Sequence, residues 1–208
     1  CLLPINGKPM LFYIIDHLLE QGVTPITVCA GWEAWKVQTA VQTRYPKVAF
    51  LNLEMQSVYV LDTGIGTSMS RRIRKVYSLI SIAPALICYG DEFADVNVAE
   101  LKAILEKEKT EAVVTLYQAP SPFGIAQVEN NRLIKLHEKP ALEWVSIGYA
   151  IVDGPALGSS ESAEDLVQVL NRLGAEKCAV YRHKGKRWTV NTLSDWEEAE
   201  RAMSDFRG

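Results

Sequence analysis

The 208-residue sequence is poor in the features that commit a chain to a membrane, a nucleic acid or an oxidising compartment. No uninterrupted apolar run approaches the roughly 18 residues that a membrane-spanning helix needs. The net charge is only -3, so no overall basic field draws nucleic acid or an anionic membrane. Small anions remain candidate ligands, because a few lysines and helix N-termini suffice for them. The four cysteines, Cys1, Cys29, Cys88 and Cys178, form no C-x-x-C pair, which argues against a zinc site. Cys29, Cys88 and Cys178 lie in apolar, β-rich runs and are expected as buried free thiols, a usage that points to a reducing cytoplasm. The segment Cys1–Pro9 has no charged stretch ahead of an apolar one, so no secretory signal is expected there. His17, His137 and His183 lack a nucleophile partner or ligand spacing and receive no catalytic role; His183, just before the Trp188 segment, comes nearest to one. Repeats, low-complexity tracts and linkers are also missing, so residues 1–208 read as one domain.

What is present fits an ordinary globular α/β chain, 48% hydrophobic and 23% charged. Helical and β-type segments alternate. Helices are expected over 9–20, 33–45, 70–80, 98–107, 163–173 and 193–203. Strands are expected over 25–30, 48–53, 58–61, 85–89, 112–117, 145–152, 179–183 and 187–190. Asn130-Asn131-Arg132 signals a hairpin between 124–129 and 133–136. The continuous apolar runs at 85–89 and 112–117 suit strands buried on both faces of a parallel sheet. The fold class is therefore α/β: a Rossmann-like, mostly parallel mixed sheet with helices on both faces. A small α+β extension after Pro120 would cover the carboxyl ends of the parallel strands.

In open α/β sheets ligands bind beyond those carboxyl ends. Asp91 stands at such an end, after the turn-permitting Gly90, where a carboxylate can hold a hard divalent cation. A Gly-Asp pair serves equally as a turn, or as a cap for the helix beyond Val96. Arg71, Arg72, Arg74 and Lys75 read as a solvated helix face. The five tryptophans, Trp32, Trp35, Trp144, Trp188 and Trp196, read as packing residues.

Seven short segments in order change the weight of Asp91: PINGKPML (Pro4–Leu11), GIGT (Gly64–Thr67), YGD (Tyr89–Asp91), FG (Phe123–Gly124), EKP (Glu138–Pro140), IGY (Ile147–Tyr149) and VNTLSD (Val190–Asp195). On these the chain resembles the sugar-1-phosphate nucleotidyltransferases over nearly its whole length. The Asp62-Thr63-Gly64 stretch with Thr67 and Arg72-Ile73, and the Trp188–Asp195 segment, look most like the glucose-1-phosphate cytidylyltransferase branch. The chain departs from that branch with Ser70-Arg71 in place of a glycine pair, and with Asn191 in place of an aspartate.

The resemblance implies a nucleotide-diphospho-sugar transferase type of fold. It implies a nucleoside triphosphate, CTP favoured, and a sugar 1-phosphate as substrates, with Mg2+ as cofactor and neither nucleic acid nor membrane as partner. Asp91 would be the catalytic residue and a metal ligand, with Asn191 as a second ligand. Gly66, Thr67, Gly90 and Arg72 would approach the nucleotide. Gly124, Glu138, Lys139 and Ser146 would meet the sugar phosphate, Ser146 where the family often has asparagine. Asn191 serves equally as a turn residue ahead of a helix capped by Thr192, with Asp195 in its first turn. A strand and glycine-rich phosphate loop, roughly two dozen residues, are expected upstream of Cys1 on the same resemblance. A non-catalytic nucleotide- or sugar-phosphate-binding module, and a phosphocholine-type cytidylyltransferase, remain open on sequence alone.

Overall fold

A computed structural model of the chain describes residues 1–50, 53–80, 84–121, 123–138, 141–157 and 164–203. Asn6 and Gly7, at φ 50° and 78°, turn the chain between β1 (Pro4–Ile5) and β2 (Lys8–Pro9), as an Asn-Gly pair favours. Helix α1 (Met10–Glu20) follows at once, and Gly22 at φ 73° carries the chain away. Next come β3 (Ile26–Ala30) and α2 (Ala34–Arg44). The single strand expected over 48–53 is instead β4 (Val48–Phe50) and β5 (Leu53–Met55), paired antiparallel with Phe50 opposite Leu53. An apolar run does not by itself reveal where a chain reverses.

Strand β6 (Val58–Asp62) lies parallel to β3 and leads through a turn into α3 (Met69–Ile80). Then follow β7 (Ala85–Cys88) and β8 (Glu92–Ala94), a three-residue strand too short for a sequence signal. Helix α4 (Val98–Glu108) is capped by Asn97, whose side chain accepts from the amides of Ala99 and Glu100, so Asp91 is not its cap. After β9 (Ala112–Pro120) the expected hairpin is formed by β10 (Ile125–Glu129) and β11 (Arg132–His137), with Asn130 and Asn131 at φ 48° and 59°. Strand β12 (Ala141–Val152) and a single 3-10 turn (Gly154–Leu157) precede α5 (Leu166–Lys177), which breaks at Gly174 (φ 59°), where the helix was expected to end. The expected start of that helix, residue 163, lies outside the described residues. Strands β13 (Cys178–His183) and β14 (Arg187–Thr189) lead to α6 (Leu193–Ala202), capped by Thr192 in a capping box with Asp195.

The main sheet runs β13-β9-β12-β7. β13 is parallel to β9, and β12 is antiparallel to both of its neighbours. The class is the mixed α/β one expected, with a correction at β7. Among the described residues that strand pairs antiparallel, Ala85 opposite Val152 and Cys88 opposite Tyr149. Its apolar run reports burial on two faces and carries no information about direction. Alternate residues divide between those faces. Ala112, Ala150 and Val152 pack with Leu166, Val169 and Leu173 of α5. Val113, Ile147, Tyr149 and Ile151 pack with Leu101 of α4 on the other side.

Helix α1 is buried on more than one side. Met10, Tyr13, Ile14 and Leu18 meet Ile5, Phe93, Val98, Ala199 and Met203. Leu11, Phe12 and Ile15 meet Ala30, Val37, Val41 and Val58. Trp188 and Trp196 pack against the first of these clusters. Trp32 and Trp35, expected as packing residues, are instead exposed. The basic face of α3 also differs from expectation: Arg74 is buried, its Nε donating to Leu157 O at 2.8 Å and its Nη1 to Glu164 O at 2.9 Å. A charge run marks a solvated face only where no carbonyls are left over for it to satisfy. All four cysteines are free, and burial pushes the Cys88 thiol up to about 12. No helix among the described residues is long and apolar enough to cross a membrane.

Lys8, Arg44 and Tyr45 converge on Asp16, at 2.7, 2.6 and 2.6 Å. Burial pushes the Asp16 carboxyl up, but the hydrogen bonds from Lys8, Tyr45 and Arg44 outweigh it and hold the group below the ordinary carboxylate range. A depressed folded pKa contributes stability above the unfolded value, near 3.8, that is lost as pH falls through the folded value. Asp16→Asn therefore lowers stability at neutral pH and flattens its decline below about pH 4, measured by urea unfolding across pH.

Candidate active site

At the carboxyl end of β7 the chain runs Tyr89-Gly90-Asp91 and then enters β8. β8 forms a short antiparallel ribbon with β14, in register Arg187 to Ala94, Trp188 to Phe93 and Thr189 to Glu92. One step beyond the ribbon, Val190 N donates to Asp91 O at 3.3 Å. Asp91 and Asn191, a hundred residues apart in sequence, thus meet at one ribbon end, both exposed. Among the described residues the Asp91 carboxylate and the Asn191 amide oxygen accept no hydrogen bond, and both are hard oxygen donors. No group of three or more His, Cys, Asp or Glu among the described residues is close enough to cage a metal. Two such oxygen donors could contribute to holding a hydrated Mg2+, a cation that keeps waters and shares phosphate oxygens. Asp195 is occupied differently: its Oδ2 accepts the amides of Asn191 and Thr192, at 3.1 and 2.9 Å. Slight burial pushes its carboxyl up, while the hydrogen bonds from Asn191 and Thr192 bring it below its ordinary value.

A second cluster forms where β3 and β6 end side by side. The turn after β6 has Gly64 at φ 90° and Gly66 at φ 75°, conformations that favour glycine. Thr67 Oγ1 donates back to Thr63 O at 2.7 Å. Arg72 ties the turn together. Its Nε donates to Thr67 O at 2.9 Å, Nη1 to Ala30 O at 2.8 Å and to Thr63 Oγ1, and Nη2 to Gly64 O at 3.1 Å. The guanidinium is therefore engaged with the loop rather than free for a ligand. Gly31 is the complement to this arrangement: a Cβ there would stand 2.6 Å from Arg72 Nη2 and 2.9 Å from Gly64 O.

On the opposite side, a Cβ on Gly124 would come within 3.3 Å of Glu138 Oε2, so the carboxylate lies over the Gly124 backbone. Lys139 lies outside the described residues. Both residues flank the β10–β11 hairpin, whose residues are exposed throughout, including Leu133, Ile134 and Leu136. No hydrogen bond or ion pair among the described residues links this pair to Asp91 or to the Gly64–Thr67 turn. Ser146 is nearer to the strand end. With Tyr89, Gly148, Leu166, Leu170 and Asn171 it lines a cavity of about 220 Å³. Gly148 sits at φ 67° with its carbonyl accepting from Tyr89 N at 3.0 Å, and a Cβ there would meet Tyr89 Cγ at 2.7 Å. Burial, then the carboxylates of Glu92, Asp91 and Asp165, push the Tyr89 phenol up.

Comparison with known proteins bears on this geometry. No family model matches the chain. A probable glucose-1-phosphate cytidylyltransferase of Bacillus subtilis is 24% identical over 217 residues, covering 95% of this chain and 85% of that protein. The glucose-1-phosphate cytidylyltransferase of Salmonella typhi is 22% identical over 154 residues, 65% of this chain and 59% of its own length. Among solved structures, HddC from Yersinia pseudotuberculosis complexed with GMP-PN shares the fold at a TM-score of 0.69 and 14% identity, covering 97% of this chain and 88% of that one. UDP-glucose pyrophosphorylase complexed with UDP-glucose does so at 0.68 and 15%, covering 99% and 90%. Over nearly its whole length the chain is similar to sugar-1-phosphate nucleotidyltransferases, at low identity. The fold is likewise the one shared by sugar nucleotidyltransferase structures.

Sequence reasoning singled out Asp91, Asn191, Gly66, Thr67, Gly90, Arg72, Gly124, Glu138, Lys139 and Ser146 as candidate site residues. It did not single out Gly31, the ribbon partner Arg187, or Asn171. Gly31 had a signal, a glycine directly after a β run, whereas Arg187 and Asn171 had none. Arg72→Met removes a charged donor from three carbonyls and a hydroxyl, and with it the ties that hold the half-buried turn. It should cost about 2–4 kcal/mol of stability in urea unfolding, against about 0.5 kcal/mol or less for Arg71→Met on the exposed face.

Proposed function

We propose that the chain transfers a nucleotidyl group from a nucleoside triphosphate, CTP favoured, to a sugar 1-phosphate. A phosphate oxygen of the sugar phosphate attacks the α-phosphorus, the α–β anhydride bond breaks, and pyrophosphate leaves. Two anions have to be brought together, so the chemistry needs positioning and positive charge more than proton transfer. When bound, Mg2+ supplies charge neutralisation at the phosphate oxygens. Asp91 and Asn191 are the residues that would hold it, and the ribbon contact Val190 N to Asp91 O is the observation that carries this reading.

In the same reading, the Gly64–Thr67 turn takes the nucleotide base against backbone that the glycines leave bare, with Arg72 holding its shape. Gly90 keeps the approach to Asp91 open. Ser146, Gly124 and Glu138 take the sugar hydroxyls, and Lys139 the acceptor phosphate. A carboxylate accepts two sugar hydroxyls while an ammonium pairs with phosphate, which is why those residue types suit an acceptor site. The 22–24% identity to cytidylyltransferases supports CTP as the first nucleotide to try. A single domain working in a cytoplasmic setting belongs to this proposal as well.

The test is pyrophosphate release with Mg2+, each of the four nucleoside triphosphates and glucose 1-phosphate, with phosphocholine as the competing acceptor. CTP with glucose 1-phosphate is expected to give the fastest release, and Asp91→Ala to lower kcat at least a hundredfold. Binding of sugar phosphate without turnover under any nucleotide would make the chain a binding module instead. Release with phosphocholine alone would move the acceptor class.

A further inference from the structure

The β8–β14 ribbon has two ends. One carries Asp91 and Asn191; the other is closed by a set of groups that the proposed chemistry leaves unused. Asp95 N donates to Lys186 O at 3.2 Å, and Lys186 N donates to Asp95 Oδ1 at 2.6 Å. His183 Nε2 lies 3.1 Å from that same Asp95 oxygen and 3.1 Å from Lys186 O. Both neighbours of Nε2 are acceptors, so this nitrogen carries the proton and donates to Lys186 O, with Asp95 Oδ1 close beside it. The imidazole is buried, with rings of Tyr117 and Tyr181 beside it and no partner at Nδ1 among the described residues.

Gly185 completes the closure. A Cβ on it would stand 2.7 Å from His183 Cε1 and press into Asp95 Oδ1. Between the two ends, Arg187 pairs with Glu92, whose side chain is only 8% exposed, and Trp188 stacks on Phe93 at 5.7 Å. A ribbon of three residue pairs has little pairing strength of its own. Its register comes from these side chains. A slip by one residue would break the Asp95–Lys186 exchange and carry Asn191 away from Asp91.

We propose that His183, Asp95 and Gly185 form a latch that fixes the ribbon register and thereby holds Asn191 beside Asp91. They are positioning residues for the metal pair, acting through the backbone from the opposite end of the ribbon. The inference rests on Asp91 and Asn191 being metal ligands, but its own mechanical claim is separately measurable.

The experiment uses the whole chain with Mn2+ as probe. Mn2+ affinity is read from water-proton relaxation, and the register from amide exchange at Val190, the donor to Asp91. His183→Leu removes the donor while filling space, and is expected to weaken Mn2+ binding about tenfold and to speed Val190 exchange to a similar degree. His183→Gln keeps a donor at nearly the same place and is expected to restore both to within about twofold, which loss of packing alone does not predict. Asp95→Asn, a milder change of equal shape, carries the test if His183→Leu does not fold; a smaller shift in the same direction is expected. Unchanged Val190 exchange in these variants overturns the latch. Mn2+ binding that Asp91→Ala leaves intact overturns the ligand assignment instead, and the two failures are distinguishable.

Discussion

The short pairing between β8 and β14 is the constraint on which the rest of the site depends. It joins the middle of the chain to its last helix and closes the apolar cluster around Phe93, where α1, α4 and α6 meet. The buried Tyr149 hydroxyl, which accepts from Ala94 N at 3.3 Å, ties the same ribbon to the main sheet. Hydrophobic burial is non-directional and tolerates sliding. The polar contacts along this ribbon supply what burial does not, a single register. That register decides which residues from distant parts of the sequence come together at the ribbon's end.

The Gly64–Thr67 turn obeys the same division of labour. Glycines at positive φ let its backbone lie bare, and one guanidinium gathers four oxygens to keep it in place. An arginine used this way resembles a bound cation that the chain carries with it. Gly31 shows the steric side of the arrangement, since the space a Cβ would need is already filled by the arginine. In both places a charged side chain fixes geometry while another group is left open to a ligand.

Most helices were legible from apolar periodicity with turn residues at their ends. The hairpin at Asn130-Asn131 was legible because few residue types tolerate positive φ there. Three things were not. Strand direction at β7 is invisible because a doubly buried strand looks alike in either orientation. β8 is too short for periodicity and begins with a charged residue, Glu92, whose burial makes sense only once the Arg187 side chain reaches across the ribbon to pair with it. The fate of Arg72 and Arg74 depends on loop carbonyls that no local pattern reveals. For the candidate site, Asp91 could be named from its place after a strand and a glycine, but its nearness to Asn191 is a long-range fact of sheet register. Lys139 was likewise named from a motif and lies outside the described residues.

The β10–β11 hairpin has a consequence of a different kind. Gly124 and Glu138 sit where it leaves the body, while the hairpin itself is exposed on both faces and buries none of its residues in the core. Substitutions along it meet few packing demands, whereas those around Phe93 meet many. On the proposed assignment, the acceptor contacts at Gly124 and Glu138 lie where few packing demands constrain the chain, while Ser146 and the ribbon are held by the sheet. The hairpin's side chains can therefore change one by one without disturbing the packed cluster at the ribbon.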